Sequence, residues 1–314
     1  VLHTADVHLD GDVGGSAAQQ ATHRERGRHV FQRIVDRALA DQVDLLLIAG
    51  DLFDHNRVPD ETVAFVRAEL DRLRQPVVIL PGNHDALYTN AIYDRHDFRA
   101  GASHVHVIRR LNGETIEFPE LDVVVWGRAM EEHEPAFQPL AHIPGRDDRR
   151  WHLAMAHGFF YPERQRPDRS SPIFADEVRD TGWDYLALGH HHVQADVSQG
   201  AVTACYAGAP MVDGHGAHAT GTVLRIDLSV EDGIRVEPRP LAMQDRGAPR
   251  VPGGATSVGG LLGNTERHFI PRGGAVWSGR RNTGHDRGAP LVPCGATSVG
   301  GLGAMSGPPW EGLR

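Results

Sequence analysis

The stretch Val43-Asp-Leu-Leu-Leu-Ile-Ala-Gly50-Asp51-Leu52-Phe53-Asp54 carries a nearly continuous apolar run straight into a glycine and two carboxylates. A run this short, flanked by turn residues, reads as a strand buried on both faces. Gly50 at its end lets the backbone turn sharply and approach a ligand closely. Four other apolar runs end the same way. Val1 to Ala5 leads into Asp6-Val7-His8, and Val77 to Leu80 into Gly82-Asn83-His84-Asp85. His152 to Ala156 leads into His157-Gly158, and Tyr185 to Leu188 into Gly189-His190-His191-His192. Polar residues at the carboxyl ends of several strands converge in the crevice where open α/β sheets place their sites.

Working outward, Thr22 to Ala40 carries Val30, Phe31, Ile34, Val35, Ala38 and Leu39 at helical spacing. Pro59 and Asp60 open a second helix expected over 60–74, ahead of the run Val77 to Leu80. The register is therefore β-α-β-α-β. Beyond it the chain is rich in strand-like segments at 104–108, 115–118, 121–126, 152–156, 185–188, 201–206 and 222–228, with a short helix expected at 174–180. Parallel strands in front and antiparallel strands behind imply an α/β fold of two facing mixed β-sheets flanked by helices.

This organisation ends near residue 240. Residues 241–314 hold 17 of the 36 glycines, and the segment 246–261 recurs at 287–302 as Arg-Gly-Ala-Pro-x-Val-Pro-x-Gly-Ala-Thr-Ser-Val-Gly-Gly-Leu. Two copies do not make a solenoid. Without an amphipathic period such a segment buries too little apolar surface to offset its ordering entropy. The expectation is a catalytic domain over 1–240 and a disordered, low-complexity C-terminal tail over 241–314. The chain opens at Val1 inside a strand, so its start is expected a few residues upstream.

The 314 residues are 40% hydrophobic and 23% charged, a globular composition that excludes fibrous and wholly disordered classes. No run of 18 apolar residues occurs, so no membrane-spanning helix is expected. Two cysteines, Cys205 and Cys294, are too few for a disulfide framework, which favours a cytoplasmic setting. Every basic residue is arginine; residues 1–240 hold 24 of them against 37 Asp and Glu, a net of −13, and lack the electrostatic footprint of a nonspecific DNA binder.

Twenty histidines are the compositional anomaly. Taken singly, Asp6 and His8 read as a loop pair, Asp51 as a helix cap, Asn83 to Asp85 as a turn and His157 as a strand-end histidine. Three consecutive imidazoles after a buried strand are harder to explain by packing. All five clusters together suit two adjacent divalent cations. A bridging carboxylate, most naturally Asp51, reduces the repulsion between the ions, while neutral imidazoles and an amide complete each shell. Such a pair activates water for attack on phosphorus and polarises the phosphoryl oxygens. That leaves His84 as an acid or transition-state donor and Asp85 as its orienting neighbour. His55 and Arg57 follow the Asp51 box closely enough to be candidate phosphate contacts.

The ordered set Asp6-x-His8, Gly50-Asp51-x-x-Asp54, Gly82-Asn83-His84-Asp85, His157-Gly158 and Gly189-His190-x-His192 resembles the calcineurin-like metallophosphoesterase family. The opening Leu2-His3-Thr4-Ala5-Asp6-Val7-His8-Leu9-Asp10, Pro59 after the Asp51 box, and Tyr206-Ala-Gly-Ala-Pro210 are similar to its DNA-repair exonuclease branch, the SbcD-type nuclease subunit. The resemblance implies Asp6, His8, Asp51 and His192 around one metal, and Asp51, Asn83, His157 and His190 around the other, with His84 at the scissile phosphate. It further implies manganese, with Fe, Zn or Mg as alternatives, and DNA as substrate. Members of this branch continue into a DNA-capping domain and helices that bind a coiled-coil, SMC-like ATPase, which makes such an ATPase an implied partner; residues 241–314 resemble neither element. A phosphoesterase for nucleotides or other small phosphoesters, and a scaffold without catalysis, are the competing readings.

Overall fold

A computed structural model describes residues 1–146, 148–164, 169–211 and 221–241. The expected tail therefore lies, save for Leu241, outside the described residues. The strands are β1 (Leu2–Thr4), β2 (Leu46–Ala49), β3 (Val77–Leu80), β4 (Val105–Val107), β5 (Glu114–Phe118), β6 (Val123–Gly127) and β7 (Trp151–His157), followed by β8 (Phe159–Tyr161), β9 (Pro172–Phe174), β10 (Tyr185–Gly189), β11 (Ala195–Asp196), β12 (Thr203–Tyr206), β13 (Thr222–Ser229) and β14 (Gly233–Pro240). The helices are α1 (Ala17–Ala40), α2 (Asp60–Leu70), α3 (Ile92–Arg95) and α4 (Ala175–Asp180).

Two six-stranded sheets form, in the orders β14-β13-β1-β2-β3-β4 and β11-β12-β10-β7-β6-β5. In the first, β1 to β4 are parallel, with Leu2 opposite Leu46, Leu46 opposite Val77 and Val77 opposite Val105. The hairpin β13-β14 joins antiparallel on β1. The second sheet departs from the antiparallel expectation. Its four inner strands, β12, β10, β7 and β6, are all parallel, and antiparallel pairing is confined to β11 and β5 at its edges. β6 and β10 are buried along their whole length, as parallel strands covered on both faces are. Among the described residues the one helix in the crossovers between β6, β7 and β10 is the six-residue α4, so no long helical period marked them.

Side-chain alternation divides β2 between two cores. Leu46 and Ile48 pack with Phe31, Ile34 and Val35 of α1 and Val63 and Val66 of α2. Leu45, Leu47 and Ala49 face the other sheet with Val125, Leu153, Met155 and Tyr185. Beyond the second sheet, Ala154 and Ala156 of β7 join Val178 of α4 with Trp126 and Trp183. α1 begins five residues ahead of the expected Thr22, because Ser16 caps it: the Gln19 amide donates to Ser16 Oγ at 3.3 Å and the Ser16 amide to Gln19 Oε1 at 2.8 Å. α2 stops at Leu70, short of the expected Arg74.

The sheets meet at the carboxyl ends of β2 and β10. A Cβ on Gly189 would stand 1.9 Å from the Ala49 carbonyl oxygen, so only glycine allows this approach. The clusters that follow β1, β2, β3, β7 and β10 are thereby gathered at one edge of the molecule.

Candidate metal centre

The loops leaving β1 and β2 run side by side, with the Asp6 amide donating to Gly50 O and the His8 amide to Asp51 O, both at 3.0 Å. Four expected ligands sit in left-handed backbone, Asp6 at φ 55°, His8 at 51°, Asp51 at 53° and His190 at 94°. A side chain other than glycine pays about 1–2 kcal/mol for such a conformation. Strain repeated at one place marks a site whose side chains have to point somewhere particular.

Those side chains form two groups that share Asp51. In the first, His8 Nε2 lies 3.2 Å from His192 Nε2, His192 Nε2 3.9 Å from Asp6 Oδ1, and His8 Nε2 3.7 Å from Asp51 Oδ2. In the second, Asn83 Oδ1 lies 3.0 Å from His157 Nε2 and 2.9 Å from His190 Nδ1, and His157 Nε2 is 3.2 Å from Asp51 Oδ2. All seven expected ligands are thus brought together. Neighbouring donors on one octahedral ion, with bonds near 2.1 Å, stand roughly 3 Å apart, so both groups have the spacing of a coordination shell. With its Nδ1 proton directed to Asp54, His8 turns the Nε2 lone pair toward His192 Nε2, and a cation between the two rings would use both lone pairs. The outer ring nitrogens are anchored, His8 Nδ1 on Asp54 Oδ1 at 3.0 Å and His157 Nδ1 on Ala49 O at 2.9 Å, the arrangement that orients metal-bound imidazoles. Two carboxylates, an amide and four imidazoles, with no sulfur, suit Mn, Fe or Zn.

Burial pushes the Asp6 carboxyl up to about 6. Burial also opposes charge on Asp51, but the His157 imidazolium beside it outweighs this and holds the carboxyl well below the usual range. His157 is its counterpart: burial lowers its pKa, the Asp51 charge more than restores it, and it rises to about 9. Burial, reinforced by the charge on His157, takes His190 down to about 3. Before any cation binds, then, the Asp51 charge is balanced by a proton held on His157.

His84 is exposed and lines, with Asp6, His8, Asp54, His192 and Met211, a cavity of ≈ 210 Å³. Its amide donates to Asp51 Oδ1 at 2.9 Å and its Nδ1 bonds Asp54 O at 2.7 Å. It also falls within ligand distance of His8 and Asp51, so proximity alone does not separate it from the metal set. Asp85 requires a correction. Rather than orienting His84, its carboxylate faces the interior and accepts from Gly82 N at 2.7 Å, Phe53 N at 3.2 Å and Tyr93 OH at 2.8 Å. Consecutive residues in this turn point to opposite sides, and the partner of His84 is Asp54. Sequence reasoning quoted Asp54 in its motif without a role; its signal was a second carboxylate three residues after Asp51. His133, whose ring lies 5.2 Å from that of His190, carried no motif at all. His55 and Arg57 line an adjoining cavity, apart from both donor groups.

Among known proteins, the chain is 27% identical over 221 residues to the metallophosphoesterase YhaO of Bacillus subtilis, a match covering 61% of this chain and 48% of that protein. It is 39% identical over 89 residues to the DNA double-strand break repair protein Mre11 of Aeropyrum pernix, covering 27% of this chain and 20% of that one. The chain thus spans about half or less of the length of these relatives. Among solved structures, TT1561 of Thermus thermophilus matches with a TM-score of 0.49 at 10% identity, covering 77% of this chain and 98% of that one. The nuclease MPE of Pseudomonas putida matches with a TM-score of 0.31 at 18% identity, covering 70% and 81%. The family model for calcineurin-like phosphoesterases matches residues 1–194, which contain the two donor groups and His84, and the chain belongs to that family.

Proposed function

We propose that this chain is a manganese-dependent nuclease that hydrolyses phosphodiester bonds in DNA, in the manner of the SbcD-type repair exonucleases. The observation that carries the reading is the pair of donor groups joined by Asp51 beside a cavity that His84 also lines. Asp6, His8, Asp51 and His192 would hold one cation and Asp51, Asn83, His157 and His190 the other. Such a pair, when bound, would supply Lewis acidity toward the phosphoryl group and would acidify water for attack on it. The chain's own residues do the rest. Asp54 fixes His8 through its carboxylate and His84 through its carbonyl, which accepts from His84 Nδ1; in its imidazolium form His84 would hold a second proton on Nε2 to give to the departing oxygen. The relatives named as DNA double-strand break repair proteins support DNA as substrate.

A small phosphoester is the second reading, favoured by the net charge of −13 over residues 1–240, which repels a polyanion at long range. The test is hydrolysis by the full chain with manganese of linear single-stranded and double-stranded DNA beside bis(p-nitrophenyl) phosphate. Cleavage of DNA supports the nuclease. Turnover of the small diester alone moves the assignment to small phosphoesters, and activity undiminished by chelation refutes both.

A further inference from the structure

A second cavity, of ≈ 240 Å³, adjoins the metal cavity, and Gly11 and Asp12 line both. Its other walls include Arg24, His55, Arg57 and Asp10. Its position relative to the metal centre is set by backbone: Leu9 N donates to Leu52 O and Asp54 N to Leu9 O, both at 3.0 Å, and His55 directly follows the residue that anchors His8 and His84.

The charges in this cavity are unevenly committed. Asp10 is engaged by Thr62 Oγ1 at 2.6 Å and by Arg24 Nε at 3.7 Å. Asp12 accepts from Gly14 N at 2.9 Å and Gln20 Nε2 at 3.3 Å. His55 Nδ1 accepts from the Arg57 amide at 3.2 Å, which places its ring proton on Nε2, a free donor. Among the described residues the Arg57 guanidinium has no partner, although the chain is acidic and carboxylates abound. Asp10 is held through both oxygens and Asp12 through Oδ1, so the Arg57 guanidinium and His55 Nε2 are two donors left to meet whatever extends from the metal centre.

We infer that this cavity is a subsite for the phosphate next to the scissile one, with Arg57 as its principal contact and His55 as its second. The inference rests on the proposed phosphodiesterase reading and names its substrate class, a chain carrying at least two consecutive phosphates. A guanidinium suits this task because its fork of donors matches phosphate oxygens. A diester with a single phosphate reaches the metal pair and leaves the subsite empty.

The test compares the manganese-loaded full chain with its Arg57→Ala and Arg57→Lys variants on bis(p-nitrophenyl) phosphate and on a short oligothymidylate. Arg57→Ala should raise KM for the oligonucleotide about tenfold or more, the worth of one charge-assisted phosphate contact, with kcat and both constants for the small diester unchanged. Arg57→Lys should recover part of the loss. The salt dependence of oligonucleotide binding should weaken by about one contact, a change in slope of roughly 0.7. Equal effects on the two substrates, or none on either, overturn the subsite. Binding of the oligonucleotide by His84→Ala, with and without Arg57→Ala, reads the subsite independently of turnover. A wild-type chain that hydrolyses no phosphoester refutes the catalytic reading, whereas unchanged binding in this pair refutes the subsite alone.

Discussion

Substituting Gly82 by alanine should disable the metal centre while sparing the fold. The Gly82 backbone lies outside the left-handed region, so the obstacle is spatial: an added Cβ would stand 2.2 Å from Asp51 Oδ1, 2.6 Å from Asp51 N and 2.8 Å from His157 Cε1. The Asp51 carboxylate would have to retreat by about 1 Å to reach ordinary contact distance. It is held where it is by the His84 amide at 2.9 Å and by His157 at 3.2 Å, so the displacement breaks contacts to both metal groups at once. Overpacking of this kind costs about 1–3 kcal/mol of stability, which a chain with three apolar cores tolerates. Misplacing an orienting group costs about 10–100-fold in metal affinity, and a 1 Å error in a catalytic constellation about 10²-fold in turnover. Gly145→Ala, where an added Cβ meets nothing within 4 Å, is the matched control. Calorimetric manganese titration, metal analysis and hydrolysis of bis(p-nitrophenyl) phosphate, each beside a thermal melt, measure the effects. A Gly82→Ala protein with two cations at parental affinity and parental turnover would show that Asp51 does not bridge the groups.

His84→Ala should keep both cations and lose about 10²–10⁴-fold in turnover, as for a removed general acid, whereas Asp51→Asn should lose metal first; equal metal loss in the two would make His84 a ligand. Cation binding near pH 7 should expel the proton that His157 holds up to about 9, so manganese affinity should rise about tenfold per pH unit below that value; heats identical in buffers of different ionisation enthalpy would refute this. His3, buried between the sheets with Nδ1 2.9 Å from Tyr185 OH, is driven by burial down to about 3. Below its unfolded value of 6.5 the unfolded chain gains a proton that the native one refuses, so stability is full above that pH and falls as pH drops toward about 3. With chelator present, the parent should lose about 2 kcal/mol more than His3→Gln between pH 7 and 5 in urea unfolding, and parallel losses would count against it.

The fold was legible wherever one periodicity dominated. Leu46 and Ile48 point to the helices and Leu45, Leu47 and Ala49 to the other sheet, so the run before Gly50 is apolar throughout and announces a strand covered on both sides. The second sheet was misread in its pairing for a physical reason. Strand direction is set by the crossovers, and among the described residues those joining β6, β7 and β10 hold the short pair β8-β9 and one six-residue helix as their regular elements. None of these carries the long amphipathic period by which a parallel connection is recognised.

The site divides along a similar line. The convergence of Asp6, His8, Asp51, Asn83, His157, His190 and His192 was legible because each stands where a strand stops being apolar, and five strands stop at the same edge. What a side chain does once it arrives there depends on which way a turn throws it, and adjacent residues are thrown oppositely. His84 turns out to the cavity and Asp85 inward to Gly82, Phe53 and Tyr93. Tyr93 reaches Asp85 from α3, a helix of four residues that no pattern marked. The inward carboxylate ties the loop after β3 to the loop after β2, so it bears on the metal centre by holding Gly82 against Asp51. The group that acts on His84 is Asp54, at the far end of the Asp51 box, and its reach depends on the parallel pairing of Leu9 with Phe53. Which residues converge is set by where strands end, and which way each of them turns is set by contacts between loops, which a linear pattern does not carry.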